Sequence, residues 1–276
     1  MKKLICLASV LIAFSCMLAS CADVQGTKGL EFFLEDSGNY VVEVGDAKNF
    51  KEIVIPSTYK FKKVVRIADE AFEDCTSLES IVIPDTITSI GDSAFSGCKN
   101  LKSVTIPDSV TSIGDSAFGL CENLESVIIP NSVTSVGDFV FSNCKKLGSV
   151  TISKGVTSVG TAAFANCENL KSITIPGSVT SIGNSAFSDC KNLESVTILE
   201  GVTSIGSFAF SDCESLKSVV IPKSITSIDS AAFWLCEVLT DVYYTGSEED
   251  MAKMSLEWPS SEFEEATIHY NYIPEN

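Results

Sequence analysis

The sequence predicts a mainly-β solenoid. Units of 23 residues stack into one coil through parallel ladders, with a β-hairpin at the first end and an α/β segment at the second. Three observations carry that prediction. Phenylalanine recurs at Phe72, Phe95, Phe118, Phe141, Phe164, Phe187, Phe210 and Phe233, always 23 residues apart. Cysteine keeps the same interval from Cys75 to Cys236, and leucine from Leu78 to Leu239. Within a unit the apolar runs are β-branched and short, which suits strands and leaves no room for a long helix. A fixed period of this size means that each unit buries its apolar side against its neighbours and none stands alone.

Taken in order, residues 1–21 open with Met1-Lys2-Lys3, continue through an apolar run from Leu4 to Leu18, and end in Leu18-Ala19-Ser20-Cys21. A basic start, a short apolar stretch and small residues before a cut site describe an export signal. The last four residues resemble the bacterial lipobox, which implies that Cys21 becomes the lipidated N-terminus. No later run reaches the ~18 apolar residues of a membrane span, so the lipid would be the only anchor. Residues 22–52 do not repeat. Leu30–Leu34 and Tyr40–Val44 are β-prone runs around the turn cluster Asp36-Ser37-Gly38-Asn39, which predicts a hairpin covering the open face of the first unit.

The array occupies residues 53–245. Between Pro56 and Phe72 its first unit is five residues longer than its counterparts and carries Tyr59-Lys60-Phe61-Lys62-Lys63, so it bulges. In the unit 98–120 the inward set is Cys98, Leu101, Val104, Ile106, Val110, Ile113, Ala117 and Phe118. The stretch ending in Val104-Thr105-Ile106 is a strand, Pro107-Asp108 ends it, and Val110–Ile113 is a second extended piece. Gly114-Asp115 turns the chain, and Ser116-Ala117-Phe118 is too brief for more than one helical turn. Residues 246–276 leave the period. Ser247 is an N-cap before Glu248-Glu249-Asp250, and Ala266–Tyr272 is a last strand.

One cysteine per unit at a fixed position points to buried free thiols. Adjacent parallel strands come close enough for a disulfide, but their side chains do not reach its dihedral easily. Two polar columns alternate in sign, Lys99, Glu122, Lys145, Glu168, Lys191, Glu214 and Glu79, Lys102, Glu125, Gly148, Lys171, Glu194, Lys217, which would hold the register between near-identical units.

The unit Pro-x-x-Val-x-x-Ile-Gly-x-x-Ala-Phe-x-x-Cys-x-x-Leu-x-x-Val-x-Ile resembles the BspA-like, treponemal-type leucine-rich repeat. Val242–Glu249 followed by Ala266–Asn271 resembles that family's C-terminal cap, with Met251 where its helix usually has tryptophan. The resemblance covers most of residues 30–273. It implies a right-handed leucine-rich-repeat coil on an exported or surface protein, and a role in adhesion to host matrix, plasma proteins or neighbouring cells. It supplies no catalytic residue.

Function is therefore sought in binding. The formal charge of −17, or −19 without the two leader lysines, argues against nucleic acid and against direct adsorption to anionic lipid. The single histidine, His269, has no base–nucleophile or metal spacing around it, and Glu248-Glu249-Asp250 lacks the spaced ligands of a calcium loop. Neither a catalytic residue, a metal site nor a cofactor is expected. The candidate contacts are departures from the repeat: Phe139 and Phe208 in a column otherwise small, Trp234 and Leu235 at the far edge, and Tyr243 ending the Thr105–Thr174 column. The expected function is a non-catalytic exported binder of other proteins, held to the membrane by its lipid in the outer membrane or at the cell surface. A scaffolding envelope lipoprotein with bacterial partners alone is the alternative.

Overall fold

The structure is a computed structural model that describes residues 26–257 and 261–274. Cys21 lies outside them. Each turn of the coil contributes a longer strand, a two-residue strand and a tight-turn segment, and the like parts stack as three sides.

The longer strands form two five-stranded parallel sheets end to end. Glu52–Val54, Ser80–Val82, Ser103–Val104, Ser126–Ile129 and Ser149–Ile152 make the first. Ser172–Ile175, Ser195–Ile198, Ser218–Ile221, Asp241–Tyr244 and Thr267–His269 make the second. Register follows the period, as Ser126 pairs with Ser149 and Ser172 with Ser195. The short strands stack the same way, from Ser89–Ile90 through Ser227–Ile228 to Ser255–Leu256. Each face loses its pairing once, between 149–152 and 172–175 on the long side and between 112–113 and 135–136 on the short side. The turn side bridges both places, where Phe164 N–H donates to Ala186 O at 2.8 Å and Phe118 N–H to Val140 O at 2.9 Å.

The core is a set of columns. All eight inward residues read from unit 98–120 are buried. Phenylalanine rings stack from Phe72 to Phe233 with neighbouring centroids 5.1–5.4 Å apart. The ladder cysteines are free and buried, and each from Cys98 to Cys236 donates its S–H to a phenylalanine carbonyl of the preceding coil, at 3.1 Å for Cys98 to Phe72. Burial pushes the Cys121 and Cys190 thiols up to about 12, so these sulfurs stay protonated and act as small apolar filling with a weak donor.

At the first end the expected hairpin forms as Glu31–Leu34 against Tyr40–Glu43. Its second strand pairs in parallel with Lys62–Ile67, and a 3₁₀ turn at Gly45–Asn49 follows, with Val42 and Ala47 in the core. The expected bulge is a second, small hairpin, Thr58–Tyr59 paired with Lys62-Lys63. At the other end Ser247 caps Glu248–Met251 in a capping box completed by Asp250, and Met251 is buried. A further helix, Ser261–Glu265, places Phe263 5.3 Å from Phe233 as the last ring of the stack.

Candidate protein-binding surface

The turn side carries the off-pattern aromatics because of its backbone. Each coil crosses it with two residues in the left-handed region. The first column holds Glu70, Ser93, Ser116, Phe139, Ala162, Ser185, Phe208 and Ala231; the second includes Asp74, Gly97, Asn143, Asp212 and also Leu120 and Leu235. Glycine, asparagine and aspartate suit that conformation, while bulky apolar residues there are uncommon. Phe139 (φ 57°) and Phe208 (φ 58°) keep it because their amides donate to the next coil, to Thr161 O at 2.8 Å and Ser230 O at 3.1 Å.

Their rings are not core. Phe139 is 46% exposed, Phe208 42% and Trp234 47%. Phe208 and Trp234 meet edge to face, with centroids 6.4 Å apart at 85°, a favoured aromatic geometry. With Leu235 next to Trp234 they form an apolar patch on a side made mostly of small and polar residues. Phe139 lies three coils away, roughly 15 Å at ordinary strand spacing, and makes no ring contact among the described residues. Sequence reasoning missed its neighbour Leu120, 44% exposed on the coil beneath. The signal was available: apart from Leu235, Leu120 stands alone in a column of Asp, Asn and Gly.

Tyr243 belongs elsewhere. It is half-buried on the long-strand face, stacked on His269 (4.7 Å, 15°) and packed on Tyr272 (4.7 Å). His269 Nε2 lies 2.7 Å from Asp241 Oδ1, and hydrogen bonds from His269 and Thr240 hold the Asp241 carboxyl below the usual carboxylate range. The Thr240 hydroxyl donates to Asp241, not to the imidazole, so the pair activates no nucleophile. It fastens the last strand. The turn pairs Gly91-Asp92, Gly114-Asp115 and Gly137-Asp138 are structural as well: Asp92, Asp115 and Asp138 each accept an amide of the next coil on Oδ1, at 2.9, 2.8 and 2.7 Å. Among the described residues no cluster of His, Cys, Asp or Glu could hold a metal ion.

Residues 46–171 and 157–269 match the BspA type leucine rich repeat region, in six copies. The chain belongs to the BspA-type leucine-rich-repeat family. Among similar solved structures, a T. pallidum leucine-rich-repeat protein is 26% identical, over 77% of this chain and 89% of that one, with a TM-score of 0.54. A leucine-rich cell-surface protein of Faecalibacterium prausnitzii is 25% identical over 86% and 98% (TM-score 0.41), and the pneumococcal vaccine antigen PcpA 20% identical over 91% and 87% (TM-score 0.49). No curated protein sequence matches. BspA-type repeats are a protein-interaction fold and typically not a catalytic one. No helix among the described residues is long and apolar enough to cross a membrane.

Proposed function

We propose that this chain is an exported, lipid-anchored and non-catalytic binder of other proteins, and that it adheres to host matrix or to neighbouring cells from the bacterial surface. The observation that carries the reading is the Phe208–Trp234 pair. Two large rings stand exposed in contact with each other on a solenoid side made mostly of small and polar residues, and one of them occupies a backbone region that disfavours it. Solvent-exposed aromatic pairs of this kind are typical interface anchors. Phe139 with Leu120 forms a lesser patch on the same side, whereas Tyr243 is committed to its own end of the coil.

The test is capture of matrix, plasma and bacterial surface proteins on immobilised wild-type chain, repeated with Phe208→Ser/Trp234→Ser and with Phe139→Ser. Binding should fall at least tenfold in the double variant, since anchors of this type contribute about 2 kcal/mol or more, and by less in Phe139→Ser. Unchanged binding would remove the patch. Protease treatment of intact cells should release the repeats; full protection would sink the surface assignment.

A further inference from the structure

The whole-chain charge conceals a division along the rod. Residues 26–66 carry seven Lys or Arg against six Asp or Glu, a net +1, whereas residues 67–276 carry ten against 29, a net −19. The positive end has a specific form. The hairpin Thr58–Tyr59/Lys62-Lys63 leaves Lys60 and Phe61 as a two-residue tip, both left-handed at φ 46° and 64°. Such tips favour Asn-Gly; here a phenylalanine occupies one, fully exposed and packed on nothing. Aromatic stacking braces the hairpin from below, Phe32 on Tyr59 at 4.2 Å and Tyr40 edge-on to Tyr59 at 5.1 Å. Lys60, Lys62 and Lys63 are exposed and make no ion pair among the described residues, while Lys51, Lys99, Lys102, Lys191 and Lys217 all do. Gly26 lies against Pro56 and shares a cleft with Tyr59, Lys60 and Phe61, so the first described residue stands beside this tip.

We propose that the hairpin 58–63 is a membrane-surface docking element. Phe61 enters the boundary between headgroups and acyl chains of an anionic phospholipid bilayer, and Lys60, Lys62 and Lys63 meet the phosphates. An aromatic residue flanked by lysines is matched to that boundary. The acidic array sets the orientation. Lying flat it would be repelled, whereas end-on most of its charge stands beyond the ~8 Å screening length of physiological salt. The rod therefore stands on its basic end with the Phe208–Trp234 patch held away from the bilayer.

The experiment uses residues 22–276 without lipid, sedimented with phosphatidylcholine vesicles with and without phosphatidylglycerol, at low and high salt. Lysines at an anionic surface act at about tenfold in affinity for every one to two residues. Partitioning to the anionic vesicles should therefore fall roughly a hundredfold in Lys60→Glu/Lys62→Glu/Lys63→Glu, fall comparably at high salt, and weaken in Phe61→Ser. It should be unchanged in Lys145→Glu/Lys146→Glu/Lys154→Glu, which makes the same charge change in the array. Circular dichroism establishes that each variant is folded. Equal partitioning of wild type and hairpin variant, an equal loss in the array variant, or no binding to anionic vesicles would overturn the proposal; so would capture of an acidic protein by the hairpin with vesicles ignored. The assay contains neither lipid anchor nor protein partner, so its failure leaves the adhesive reading standing.

Discussion

The glycine that recurs from Gly91 to Gly206 looks redundant until its neighbour is considered. In Gly114-Asp115 the glycine faces Asp92 of the preceding coil, and an added Cβ would overlap Asp92 Oδ1 and lie 2.5 Å from its amide nitrogen. Rotation of a side chain cannot relieve a clash with backbone, so the coil would have to open and the Asp92 Oδ1 bond to the Asp115 amide would be lost. Gly148 differs, since nothing there lies closer than 3.6 Å to an added Cβ. Gly114→Ala should destabilise by about 2 kcal/mol or more, and Gly148→Ala should be neutral or stabilising by about 0.4–1 kcal/mol. Urea melts of the two variants decide it: equal effects would show that the close approach at Gly114 does not constrain the chain. The Asp column thereby reads as a hydrogen-bond ladder, interrupted at Thr161 and resumed at Asn184, whose Oδ1 accepts from the Ser207 amide at 3.0 Å.

Between elements, register is held by charge on the polar columns, and the alternation expected from sequence forms in part. Lys102 to Glu79, Lys99 to Glu122, Lys191 to Glu214 and Lys217 to Glu194 pair at 2.6, 3.6, 3.3 and 3.0 Å. Glu79 is also bonded by Lys51 at 2.8 Å. The hydrogen bond from Lys102, then that from Lys51, lowers its carboxyl from 4.5 to about 2. A folded value below the unfolded one means that the contribution is fully present above pH ~4.5 and is lost as pH falls through ~2. Melting temperatures from pH 5 to pH 2 should therefore fall further in wild type than in Glu79→Gln, by a small amount because the group is exposed. Parallel slopes would mean that the pairs do not act in solution. The same scale shows what the sequence made legible. Strands, turns and inward columns follow from periodicity because each unit repeats one packing problem. The Lys60-Phe61 hairpin, the Gly45–Asn49 turn and the Ser261–Glu265 helix break the period and could not be read from it. Phe263 completes the ring stack 30 residues after Phe233, because the chain first detours through the capped helix. At the candidate surface, Phe139, Phe208 and Trp234 were legible as departures from a small-residue column. The contact between Phe208 and Trp234 was not, because the two positions lie in different columns and meet only across adjacent coils. Tyr243 departs from its column equally, yet His269 and Tyr272, from outside the repeat, cover it.

For the molecule as a whole, stability is carried by contacts between adjacent coils, so a whole unit should be removable where half a unit is not. Deleting residues 172–194 joins Lys171 to Ser195, which restores every column: Phe164 meets Phe210, and Cys167 meets Cys213. The variant should unfold cooperatively with a denaturant slope about a tenth smaller, as that slope follows the surface exposed, and with a lower midpoint. Deleting 172–182 instead sets turn residues against strands and should abolish cooperative unfolding. The full-unit deletion also brings Phe139 and Phe208 from three coils apart to two. If the Phe208–Trp234 patch is sufficient, binding to the captured partner should change by less than about threefold, well under the 1.4 kcal/mol of a tenfold effect. A loss as large as that of Phe208→Ser/Trp234→Ser would mean that the partner spans both patches and reads the distance between them. The repeat number would then be part of the recognition, set by how many identical coils separate two exceptions.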